Sequence, residues 1–119
     1  MANFANLPSS TINAEQRAIR AWLRIQRRPS TVQFIRNGAA LPEQTVRIEI
    51  GDQLGKAMEA PSGAEGEQNV IIYGVVGHPT VTDTDMKRLD RIIIGGKNYV
   101  IDTVVEQPGE IQGSGKATR

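Results

Sequence analysis

The hydrophobic pattern of this chain changes period once. Over residues 13–26 the apolar positions recur at helical spacing: Ile19, Trp22, Leu23 and Gln26 form a stripe, flanked by Ala14, Ala18 and Ile25. Asn13 suits a helix N-cap and Gln16 stands at the capping-box position. Arg27-Arg28-Pro29 predicts the end, because the residue before proline is pushed out of the α region. Residues 1–12 carry no such pattern and are expected to form a flexible arm.

Beyond Pro29 the period becomes two. Residues 31–36 predict a first strand, Asn37 and Gly38 a turn, and residues 45–50 a second strand with Val46, Ile48 and Ile50 on one face. Residues 70–76 predict a third, buried strand. After a polar link over residues 77–85, residues 89–94 and 98–105 predict a hairpin around Gly95 and Gly96. Pro108 and Gly109 close the last strand, and residues 111–119 are expected to be a C-terminal tail, a short strand end followed by a polar Gly/Ser stretch. The fold class is therefore mainly β: a small antiparallel barrel of five to six strands with one N-terminal helix, occupying residues 13–110. Its expected core is Val32, Phe34, Val46, Ile48, Ile50, Ile71, Tyr73, Ile92, Ile94, Tyr99, Ile101 and Val104.

Between the second and third strands lies a long loop, residues 51–69, with four glycines and a proline. Its acidic residues Asp52, Glu59, Glu65 and Glu67 face one base, Lys56. A loop of this length inside a small domain is usually functional or disordered.

Composition narrows the functional classes. The 119 residues amount to one domain, with a net charge of +1 and 4% aromatic residues. That balance does not suit a polybasic nucleic-acid binder, nor one that stacks bases on aromatic platforms. Cysteine is absent, so thiol catalysis, thiolate metal sites and disulfides are excluded. The N-terminal residues show no secretory pattern, and no apolar run reaches membrane-spanning length.

Catalytic chemistry finds few candidates. His78 is the single histidine, in a Gly-His-Pro loop context, so neither a zinc site nor a serine triad is readily assembled. Asp83-Thr84-Asp85 lacks the remaining ligands of a calcium loop and reads as a turn held by its own side chains. Gly51 to Lys56 misses the phosphate-loop spacing, and Ala57 stands where Ser or Thr must bind magnesium. No catalytic residue, metal or cofactor is therefore assigned. Arg17, Arg20, Arg24, Arg27 and Arg28 form a basic helix face, read either as solvated surface or as a docking face for an acidic partner subunit.

Residues 77–105 resemble the C-terminal half of the head-closure proteins of tailed phages, also called stoppers or head-tail connectors. Asp85, Asp90, Arg91, Gly96, Tyr99, Ile101 and Val104 match that family's pattern, whereas Leu89 stands where glycine is common. Arg28-Pro29-Ser30-Thr31-Val32 and Gln44-Thr45-Val46-Arg47 resemble its first hairpin, so the similarity spans about residues 27–105. The resemblance implies a non-enzymatic virion protein of the neck, assembled in the host cytoplasm as a hexameric homo-oligomer ring. Portal-adaptor proteins would lie on the head side and a tail terminator or tail tube on the tail side. Genomic DNA would pass through the channel without sequence-specific binding, and no membrane is involved. By order of elements, residues 51–69 take the place of the family's channel loop, with Asp52, Gln53, Lys56, Glu59, Glu65 and Glu67 as candidate channel residues. Their net negative charge would avoid trapping the phosphate backbone. The arginine helix would dock neighbouring subunits. A nucleic-acid-binding small barrel, a tail terminator and a capsid decoration protein stand as alternative readings.

Overall fold

The computed structural model describes residues 9–51 and 69–118, with side chains from residue 13 onward. The candidate channel residues Asp52, Gln53, Lys56, Glu59, Glu65 and Glu67, and most of the expected N-terminal arm, lie outside the described residues.

The chain is mainly β with one helix. Helix α1 (Ser9–Arg27) is followed by β1 (Ser30–Val32), β2 (Ile35–Arg36), β3 (Ala39–Ala40), β4 (Gln44–Ile50), β5 (Asn69–Val75), β6 (Arg91–Ile94), β7 (Lys97–Gln107) and β8 (Glu110–Ala117). The helix starts four residues before the expected Asn13, since nothing in Ser9 to Ile12 breaks it. It ends as expected before Pro29, with the Arg28 amide donating to the Ile25 carbonyl at 3.0 Å.

Eight strands, rather than five or six, form one antiparallel curled sheet in the order β1-β4-β5-β8-β7-β6-β2-β3. Two departures account for the extra strands. Residues 30–36 do not make one strand: β1 pairs with β4 at one end of the sheet, while β2 pairs with β6 and β3 at the other. The break falls at Gln33 and Phe34, where the chain crosses from one sheet end to the other and buries the Phe34 ring. The expected C-terminal tail is the second departure. Residues 110–117 are strand β8, held between β5 and β7 at the centre of the sheet.

The inner face of the curl holds the main core: Phe34, Val46, Val70, Ile72, Met86, Ile92, Tyr99, Ile101 and Ile111, with Val32, Ile48, Ile50, Ile94 and Val104 packed at its margin. Ile71 and Tyr73, expected inside, belong to the outer face. The run Val70-Ile71-Ile72-Tyr73 has no alternation to reveal its phase. A second core explains why the run is apolar throughout. Val75 is buried against Ala18, Ala21 and Ile25 of α1, with Trp22 and Val81 beside them. So β5 buries one face in the curl and, at Val75, the other under the helix.

The phase of α1 also differs from expectation. Ala18, Ala21 and Ile25 face the sheet, whereas Ile19 and Leu23 point outward, Leu23 being 54% exposed. Small residues on the inner stripe let the helix approach the sheet closely.

Leu89 is not in a strand. It occupies a tight turn, closed by Asp90 N–H to Lys87 C=O at 3.1 Å, at φ 77° and 64% exposed. This is the turn position that favours glycine. Leu89→Gly is expected to leave the fold intact and to change stability by no more than about 1 kcal/mol, with strain relief opposing the glycine entropy cost. Leu89→Val, which adds a β-branch at that φ, is expected to lower the urea midpoint.

Candidate functional site

Two regions of the described structure carry unusual chemistry, and both involve residues singled out from the sequence. The first is a clasp between β2 and the segment that precedes β6. Arg36 on β2 donates Nε to Asp90 Oδ1 at 2.9 Å and Nη2 to Asp90 Oδ2 at 2.8 Å. The same Nη2 reaches Asp85 Oδ1 at 2.9 Å. Asp90 is 1% exposed, and its Oδ2 also accepts the Lys87 amide at 2.8 Å. Hydrogen bonding by Asp90 first, and then by Asp85, holds the Arg36 guanidinium charged, far above its ordinary pKa. A forked guanidinium shared by two carboxylates is a structural bond, with no group left to act as nucleophile or base.

The 77–85 link is ordered by its own polar side chains. Asp83 Oδ1 accepts the Gly77 amide at 2.8 Å, and His78 Nδ1 accepts the amides of Thr80 and Val81 at 3.0 and 3.1 Å. Gln44 grips the link from β4, accepting from the Asp85 amide at 2.7 Å and donating to its carbonyl at 3.0 Å. The buried Thr84 pairs with β5: its Oγ1 accepts the Val75 amide at 2.9 Å, and its amide donates to the Val75 carbonyl at 2.8 Å. Thr84→Val keeps the shape and removes the acceptor, leaving the Val75 amide buried without a partner. It is expected to cost about 1–3 kcal/mol in urea unfolding, whereas Thr84→Ser should cost less.

The second region is α1. Of the sequence-predicted arginines, Arg24 is tied down. Its guanidinium lies 5.5 Å above the Tyr73 ring and 4.0 Å from Glu110, and its carbonyl accepts from Arg47 Nη1 at 3.3 Å. Burial first, and then the charge of Glu49, pushes the Tyr73 hydroxyl up from its ordinary pKa. Arg17, Arg20, Arg27 and Arg28 are exposed, and no ion pair joins them to the described residues. Alongside them run the exposed Ile19 and Leu23. Sequence reasoning set those two on an apolar stripe opposite the arginines, so the apolar edge of the face was missed.

On the other flank of the helix, Trp22 overlooks a groove of about 470 Å³. Its walls include Pro42, Glu43, Thr45, Val81, Asp83 and Asp85. The groove exists because β4 pairs with β5 only from Arg47 onward, so the Gln44 end of β4 swings away toward β1. Trp22 is steadied from behind by His78, with ring centroids 6.3 Å apart in an edge arrangement. No sequence signal marked this groove, because Trp22, Glu43 and Asp83 come from three separated segments.

Among the described residues no cluster of His, Asp or Glu is arranged to hold a metal ion, and no helix is long and apolar enough to cross a membrane.

Compared with protein-family models, curated proteins and solved structures, the chain matches none.

Proposed function

We propose that this chain is a structural protein of a tailed-phage particle, a head-to-tail connector whose copies form a ring that closes the DNA-filled head and offers the tail a docking surface. The observation that carries this reading is a clasped sheet supporting a helix whose Arg17, Arg20 and Arg27, with Arg28 just beyond its end, are exposed and make no ion pair with the described residues. A rigid scaffold with a free charged face suits assembly, where an interface must be presented without reorganisation. The resemblance over residues 27–105 supports it from another side. Asp85 and Asp90 of the matching pattern are the two carboxylates that Arg36 joins. The ring would be hexameric by that resemblance, with residues 51–69 facing the channel.

The test is complementation. In a phage encoding this chain, a nonsense mutation is expected to give filled heads that lose DNA and stay unjoined to tails. Protein supplied in trans should restore joining, and electron microscopy should place its density at the neck. Joining and DNA retention in its absence would refute the proposal. The arginine row also favours a nucleic-acid-binding barrel. That reading requires DNA or RNA affinity that drops steeply with salt and weakens in Arg20→Glu/Arg27→Glu. The connector reading expects little such binding by the free protein.

A further inference from the structure

The two flanks of α1 are complementary to each other and cannot meet within one molecule. One flank is the arginine row, Arg17, Arg20 and Arg27, edged by Ile19 and Leu23. The other is the Trp22 groove, where Glu43, Asp83 and Asp85 supply negative charge and Pro42 and Val81 supply apolar wall. At about 100° per residue, Arg20 and Arg27 lie roughly 150° around the helix from Trp22. The two surfaces therefore point away from each other on a single rigid element.

We infer that the Trp22 groove receives the arginine face of a second copy of this chain, in a head-to-tail contact. The chemistry of the groove selects its occupant. A guanidinium stacks on an indole face and pairs with carboxylates at once, a combination that an ammonium or a neutral side chain does not match. The groove acids keep capacity for it. Glu43 is exposed with no hydrogen bond or ion pair to the described residues, and Asp83 has one oxygen engaged by the Gly77 amide. Asp85 shares Arg36 with Asp90, so that trio retains one net negative charge. The groove lining contains no basic residue. Ile19 and Leu23 of the incoming helix would meet the apolar wall and lose the exposure that is otherwise unexplained.

Because donor and acceptor surfaces differ, the contact is heterologous. Repeated, it closes into a ring or runs on as a filament, and it does not stop at a dimer. The inference deepens the ring part of the proposed function by naming the interface.

Three proteins test it: wild type, Arg20→Glu/Arg27→Glu, and Glu43→Arg. The substituted side chains are exposed and make no hydrogen bond or ion pair with the described residues, so both variants should fold, which circular dichroism checks. Sedimentation velocity in low salt, at the highest concentration the protein tolerates, should show wild-type species larger than dimers that dissociate as salt is raised. Each variant alone should be monomeric. Mixed, they should give one-to-one dimers and nothing larger, since each variant retains one working surface. A wild-type protein that stays monomeric, stops at a closed dimer, or assembles undiminished in either variant would overturn the contact. So would an arginine row that captures nucleic acid while the protein remains monomeric. Normal neck density in particles carrying both variants would refute this interface and leave the connector reading standing. Head-to-tail assembly by a protein absent from the neck would do the reverse.

Discussion

Arg36→Ala is expected to lower the unfolding free energy by about 4 kcal/mol, because it strands the Asp90 carboxylate, 1% exposed, without its cation. A domain of this size has roughly 5–15 kcal/mol in total, so the substitution should remove about a quarter or more of its stability. The Lys87 amide would still reach Asp90, which keeps the loss below that of a bare buried charge. Arg36→Lys should recover little, since an ammonium cannot make the paired Nε and Nη2 contacts with one carboxylate. Asp85→Ala is the control. That side chain is about half exposed and its pair with Arg36 is solvent-screened, so the expected loss is under about 1 kcal/mol. Urea denaturation of the three variants checks the order, and equal effects for Arg36→Ala and Asp85→Ala would contradict the assignment of Asp90 as the anchor. The clasp bridges residues 54 apart in sequence and joins β2 to the turn preceding β6. Its loss is expected to release the β2–β3 end of the sheet first.

Gly109→Ala is expected to cost about 3 kcal/mol and to loosen the helix. Gly109 sits in the β7–β8 turn at φ 86°, where a Cβ alone costs about 1–2 kcal/mol. The turn is also pressed against α1. A Cβ there would lie 2.6 Å from the Ala18 amide nitrogen and from Arg17 Cβ, and 2.8 Å from the Ala14 carbonyl oxygen. Backbone on both sides cannot yield, so the helix must move, at a further cost of about 1–3 kcal/mol. Trp22 fluorescence reads the outcome directly, because the ring packs beside the Val75 core and lines the groove. A shift toward the emission of solvated indole is expected together with a lower urea midpoint. An unchanged spectrum would mean that the turn does not hold the helix in place.

The turns were the most legible part of the fold. Asn37-Gly38 and Gly95-Gly96 both take positive φ at both positions, a property written in the residues themselves. The alternation in β4 was equally plain, with Val46 inside and Arg47 and Glu49 outside. Phase was lost where burial is two-sided. The β5 run gives no sign that Ile72 enters the curl while Val75 goes under the helix. The helix misled for a related reason: two of its large apolar residues, Ile19 and Leu23, face outward, and two of the three residues on its inner stripe are alanines. Strand β8 was hidden because Glu-Ile-Gln-Gly-Ser-Gly-Lys-Ala has one large apolar side chain. Its glycines mark crowding, with Gly113 beside Met86 and Gly115 against the Val100 carbonyl. Of the candidate site, the arginine row was legible as charge on a helix. The Arg36–Asp90 clasp and the Trp22 groove were not, because each unites segments that no local pattern connects.

The place of β8 has a consequence for biogenesis. Strands β5 and β7 share no ladder with each other; each pairs with β8. Before residues 110–117 take their place, the β1-β4-β5 group and the β7-β6-β2-β3 group share no ladder. The sheet therefore becomes continuous only when its last strand enters, and until then one edge of the Val70 to Val75 strand stands unpaired and open to proteases and chaperones.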